Sequence, residues 1–229
     1  MRGKLEILAL VLGFIGLAGT IAITAMPMWR VSAFIGANLI VMEELWEGLW
    51  MNCWRQADIR MQCKVYDSLL ILSPELQAAR GLMCVSIILA AISLFVTGCG
   101  TRRSNFVGDN TKCKAITLAI GGCLFLLSCL TTLIPVCWVA HTVIHNFYNP
   151  QVEDARKREL GSALYVGWAT SGVLLITAII ILFSYCKHRS KEEEAYAAPY
   201  LTELGDVPEG SSIYRDKAPS SFHKHHEYV

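Results

Sequence analysis

Nine cysteines and six histidines are the residues of this chain best suited to chemistry. Cys53 and Cys63 fall in one loop and form a pair. In an oxidising compartment two such thiols join as a disulfide, with metal binding the lesser alternative. Closing so short a loop stabilises a fold by roughly 2–3 kcal/mol in the chain-entropy model. Cys84, Cys99, Cys123, Cys129 and Cys137 lie within or at the edge of apolar blocks, where cysteine behaves as a small hydrophobe. Cys113 and Cys186 stand at block ends, where reversible palmitoylation and an unmodified thiol are equal readings. His141 and His145 are spaced i, i+4, but no carboxylate or cysteine spacing completes a metal site around them, and a solvated pair is the simpler expectation. His223, His225 and His226 read the same way. No set of acid–base or nucleophilic groups converges, so no enzyme, cofactor or metal is expected.

The elements that position these residues follow from composition. Of 229 residues, 54% are hydrophobic and only 17% are charged, well below the quarter usual in soluble domains. Basic and acidic residues number 20 and 19, which argues against a nucleic-acid partner. The apolar residues gather in four blocks, 7–26, 81–99, 115–134 and 164–185, none with Asp, Glu, Lys, Arg or His. Each has about the 20 residues a helix needs to cross a bilayer. The blocks are apolar all round rather than striped, so they read as transmembrane helices and not as the core of a globule. The first is too long for the apolar region of a signal peptide.

Lysine and arginine crowd the link between blocks two and three (Arg102, Arg103, Lys112, Lys114), the stretch after block four (Lys187, Arg189, Lys191) and the N-terminus (Arg2, Lys4). The positive-inside rule puts these in the cytoplasm with both termini, and loops 27–80 and 143–163 outside. The outer position of Cys53 and Cys63 agrees. Within the first loop, Trp29–Phe34 and Met61–Tyr66 alternate in character, Leu39–Met42 is a short apolar run, and Leu45–Asn52 is dense in large residues. These suit a small antiparallel sheet on the bundle, including a hairpin that sets Cys53 opposite Cys63. Leu69–Gln77 reads as a short helix leading into span two. Trp29 and Trp50 fit either an aromatic belt at the headgroups or a filling between sheet and helices.

Trp29, then Gly48-Leu49-Trp50, then Cys53 and Cys63 resemble the W…GLW…C…C motif of the claudin family. The resemblance extends to Leu76-Gln-Ala-Ala-Arg80, Phe147-Tyr-Asn-Pro150, Lys157-Arg-Glu-Leu-Gly161 and the ending Tyr228-Val229. It implies a four-helix bundle with an extracellular sheet, polymerised with other claudins in cis and trans into tight-junction strands. By resemblance Trp29, Gly48, Leu49, Trp50 and Arg80 are framework residues. Gly48 would allow a tight backbone approach or an unusual φ, and Arg80 would reach back to loop carbonyls or carboxylates. Phe147, Tyr148 and Pro150 form an apolar, turn-bearing tip, which the resemblance assigns to cis or trans adhesion. The family sets ion selectivity just after the second cysteine, here Lys64, with Arg55 and Arg60 nearby and Asp67 opposing. That predicts a cation barrier with an anion-favouring leak.

A transporter would bury ionisable residues in its spans, connexins carry cysteines in both outer loops, and tetraspanins place the cysteine-rich loop second. The runner-up is a regulatory subunit or peripheral-myelin-type protein of the same architecture. Those relatives usually carry a glycosylation sequon in the first loop, and none of Asn38, Asn52, Asn105, Asn110, Asn146 or Asn149 starts one. After Tyr185 the chain turns polar and proline-bearing, so residues 186–229 are expected to be a disordered cytoplasmic tail. Its last residues, Glu227, Tyr228 and Val229, suit a PDZ domain of the zonula occludens scaffold type, with the free carboxylate held by backbone amides and Val229 in the apolar pocket.

Overall fold

A computed structural model of the chain describes residues 2–33, 43–56, 60–68, 72–101 and 111–205. Four helices and five strands follow in the order α1 (Arg2–Ala25), β1 (Arg30–Ser32), β2 (Glu43–Glu47), β3 (Met51–Gln56), β4 (Gln62–Val65), α2 (Pro74–Gly100), α3 (Thr111–Tyr148), β5 (Arg158–Leu160) and α4 (Ser162–Gly205). All four helices have the length and hydropathy to cross a membrane. Phe14, Ile88, Phe95 and Phe183 are more than half exposed on them, the expected face of a helix whose solvent is lipid. Inside, small and hydroxylated side chains let the helices close on one another. The Ser86 hydroxyl bonds Thr132 Oγ1 at 2.5 Å and Ser128 Oγ at 3.1 Å between α2 and α3.

Two of the helices run well past the apolar blocks. A 38-residue α3 is about 57 Å long against a hydrocarbon thickness of about 30 Å. Its C-terminal end therefore projects, and Phe147 and Tyr148 are its last residues rather than part of a loop tip. The turn begins only at Asn149, whose side-chain oxygen accepts the Gln151 N–H at 3.0 Å, with Pro150 between them. At the other side of the sheet α2 starts at Pro74, a favoured first helical position. Leu76 and Gln77 are thus already in the span-two helix and not in a separate short one, while 69–71 lie outside the described residues. The helix of span four also continues beyond Tyr185, to Gly205. The chain divides into two units, Met1–Arg189 and Ser190–Val229. Residues 190–205 of the second are helical where an irregular tail was expected, in keeping with the helix-forming run Lys191–Ala195.

The sheet is antiparallel, in the order β4-β3-β2-β1-β5. The expected hairpin is present: Cys53 faces Cys63 across β3 and β4 and the two are joined as a disulfide. The segment 45–52 divides into the end of β2, a turn at Gly48-Leu49-Trp50 and the start of β3. The apolar run 39–42 lies outside the described residues. A fifth strand, unforeseen, comes from the second outer loop: β5 pairs β1 with Arg30 opposite Leu160 and Ser32 opposite Arg158. Arg158 reinforces the join from its side chain, with Nε 3.1 Å from Glu47 Oε1 on β2. One of two cores among the described residues, including Trp29, Leu49, Leu76, Met83, Val139 and Leu164, lies under the sheet and among the adjoining helix ends. Burial of that core fixes the sheet to the bundle.

Candidate functional site

The Gly48-Leu49-Trp50 turn is held from below, from the side and from above. A Cβ at Gly48 would stand 2.5 Å from Pro27 Cα and 3.0 Å from Met26 O. Close backbone approach is the reason for glycine here. Gly161 meets the same need more severely, since a Cβ there would lie 2.0 Å from Met28 O. These two contacts bring the strand that leaves α1 against both the first-loop turn and the entrance to α4.

Trp29 is fully buried, and its indole N–H donates to Ile23 O at 3.0 Å. That carbonyl belongs to the last turn of α1, where no helical donor remains. The side chain is thus a helix cap and a core residue rather than a headgroup anchor. Leu49 is equally buried. Trp50 is 38% exposed and does not fill the core; instead the Arg80 guanidinium lies 4.7 Å from its ring centroid. Both Arg80 Nε, at 2.9 Å, and a terminal nitrogen donate to Leu49 O. Arg80 also approaches the Tyr66 ring at 6.0 Å. One arginine from α2 therefore fixes the turn through its backbone and an aromatic face together.

Tyr66 completes the arrangement. Its hydroxyl donates to Gly48 O at 3.2 Å. Burial, and then the negative charge of Glu47, push its hydroxyl pKa up to about 12. A second polar tie was not singled out in the sequence: buried Arg30 on β1 bonds Glu75 and reaches Ser73 Oγ at 3.1 Å, at the start of α2. Its alternation within an extended stretch gave no sign of a partner 45 residues away.

On the outer edge, β4 is exposed along its length, and Lys64 is 74% exposed beside the disulfide. Its ammonium lies 2.5 Å from Asp67 Oδ2. Arg55 is paired at 2.7 Å with Glu44, its register partner on β2. Arg60 is exposed. Of the basic residues singled out in the sequence, Lys64 lies on the edge strand and Arg55 on the neighbouring β3, and each of these two is paired with a carboxylate.

At the end of α3, Phe147 and Tyr148 meet edge to face at 5.5 Å, and Tyr148 is 78% exposed. Lys157 Nζ stands 6.0 Å from the Phe147 ring and 2.8 Å from Asp154. Cys113 and Cys186 are both exposed. Glu227, Tyr228 and Val229 lie outside the described residues.

Four spanning helices crowned by a disulfide-pinned sheet, with buried groups that hold turns rather than face a substrate, define a structural membrane protein. The chain belongs to the PMP-22/EMP/MP20/Claudin family, whose model it matches over residues 4–181. It is 51% identical to claudin-17 of Sus scrofa over 195 residues, 85% of this chain and 87% of the relative. It is 49% identical to claudin-8 of Mus musculus over the same length and shares. With claudin-3 of Homo sapiens it is 50% identical over 209 residues, 90% of this chain and 94% of the relative. Within the broad family these relatives place it with the claudins, as a tight-junction protein of the plasma membrane and not an enzyme.

Proposed function

We propose that the chain polymerises with claudins in cis and trans into paracellular strands, its sheet facing the intercellular gap and its termini the cytoplasm. The strands form a barrier to cations and leave an anion-favouring path. Lys64 carries this reading: a strongly exposed cation on the edge strand, next to the pinned cysteine pair. Arg55 on the neighbouring β3 and Arg60 before β4 add positive charge nearby, and Asp67 moderates it. In a leaky epithelial monolayer, Lys64→Asp is expected to swing the dilution potential toward cations. An unchanged potential with normal strands would refute the assignment.

Phe147 and Tyr148, on the projecting end of α3 with Pro150 in the turn behind them, are proposed as an adhesive contact. Strands of unaltered length and continuity in a Phe147→Ala variant would count against it. The ending Glu227-Tyr228-Val229 is proposed as the ligand of a zonula occludens PDZ domain, a reading overturned by equal binding of a tail peptide lacking Val229. Cys113 and Cys186 are proposed palmitoylation sites, accessible at the bundle's inner end; acyl exchange labelling that survives replacement of both would exclude them.

A further inference from the structure

The projecting end of α3 carries a feature that neither adhesion nor selectivity uses. His141 and His145 are spaced one turn apart on the same helix face, both exposed, with ring centroids 6.2 Å apart and planes inclined by only 24°. They border an open groove with Ile144, Tyr148, Asn149 and Pro150. Both imidazoles lie on the final turns of α3, at the end of the bundle that bears the disulfide sheet.

We propose that His141 and His145 form a chelate for one borderline divalent cation of the Ni2+, Cu2+ and Zn2+ class. Imidazole nitrogen is a preferred donor for these ions. Metal–nitrogen bonds of about 2.0–2.1 Å require the two donor nitrogens to approach to about 3 Å. Neighbouring imidazoles one turn apart meet that need by rotation of their exposed side chains, which turns the in-plane nitrogen lone pairs from the stacked arrangement onto a common point. The helix supplies the preorganisation, since its backbone holds the two Cβ atoms at a fixed separation. Hard cations such as Ca2+ and Mg2+ find no oxygen donor set here comparable to what they require. The two imidazoles fill only part of a coordination sphere, leaving positions to water and the groove. Bound metal would clip the final turns of α3, the segment that ends in Phe147 and Tyr148.

The test uses the full chain in nanodiscs, without a histidine tag and with His188, His223, His225 and His226 replaced by alanine. Exposed thiols are capped beforehand, because the free cysteines Cys113, Cys123, Cys137 and Cys186 are exposed. Ni2+ is then titrated by calorimetry. One saturable site per chain is expected, weakened at least fivefold by His141→Ala and again by His145→Ala taken singly, with Ca2+ giving no saturable heat. Intact circular dichroism in each variant assures that folding is not the cause, as both side chains are exposed. Absence of a saturable site, or less than a fivefold loss in either variant, overturns the proposal and leaves two solvated histidines.

Discussion

Asp67→Asn isolates the electrostatic argument better than removal of the lysine. Lys64 and Asp67 are 2.5 Å apart and both more than 70% exposed, so the pair itself contributes little to stability, and the strand should keep its place. What changes is the field in the gap. Neutralising Asp67 adds one net positive charge at the edge of β4. At an effective dielectric near 20, a unit charge about 8 Å from a passing ion is worth about 2 kcal/mol. Screening over a Debye length of about 8 Å reduces this to about 0.8 kcal/mol. With tenfold per about 1.4 kcal/mol, that is about a fourfold change for either ion. The assay is the dilution potential across a leaky monolayer expressing the variant, with strand density matched to the parent. Asp67→Asn is expected to raise anion preference about fourfold or more, and Lys64→Asp to reverse it. A response to Lys64→Asp with none to Asp67→Asn would refute the reasoning, because a field set by edge charges must register both.

Much of this architecture was legible because it is local. Each uncharged block is self-contained: a helix that must satisfy its own backbone in lipid needs no partner to be recognised. The β3–β4 hairpin was legible for the same reason, since Cys53 and Cys63 bracket it. What escaped the sequence depends on distant partners. Residues 158–160 (Arg-Glu-Leu) have no apolar alternation, and β5 exists because β1 offers it an open edge. The outer end of α3 escaped because residues 135–148 mix proline, histidine and asparagine with apolar residues, so hydropathy marks where the membrane stops and not where the helix does. Trp29 illustrates the limit within the site. Its type suits a headgroup belt as well as a core, and only the open carbonyl of Ile23 decides between them.

Two further outcomes follow from the platform beneath the sheet. Trp29→Ala removes a fully buried indole and reopens the end of α1; a loss of about 3–5 kcal/mol is expected, read as a markedly lower thermal midpoint in detergent, and a midpoint within a degree of the parent would contradict the capping role. Tyr66 predicts an alkaline signature. Its pKa is raised from the ordinary 10.0 to about 12, mainly by burial and then by Glu47, with Arg80 and Arg30 pulling the other way. A raised acid keeps in the folded chain a proton that the unfolded chain gives up. The stability tied to it is therefore whole below pH 10 and falls as pH rises toward 12. Tyr66→Phe lacks both this titration and the hydrogen bond to Gly48 O. The parent should thus be more stable than the variant at pH 9, by an advantage that narrows as pH 11 is passed. Absorbance of tyrosinate supplies the independent check. Loss of a late-titrating tyrosine in the variant supports the buried hydroxyl, whereas loss of one titrating near pH 10 would place Tyr66 in water and remove its hold on the turn.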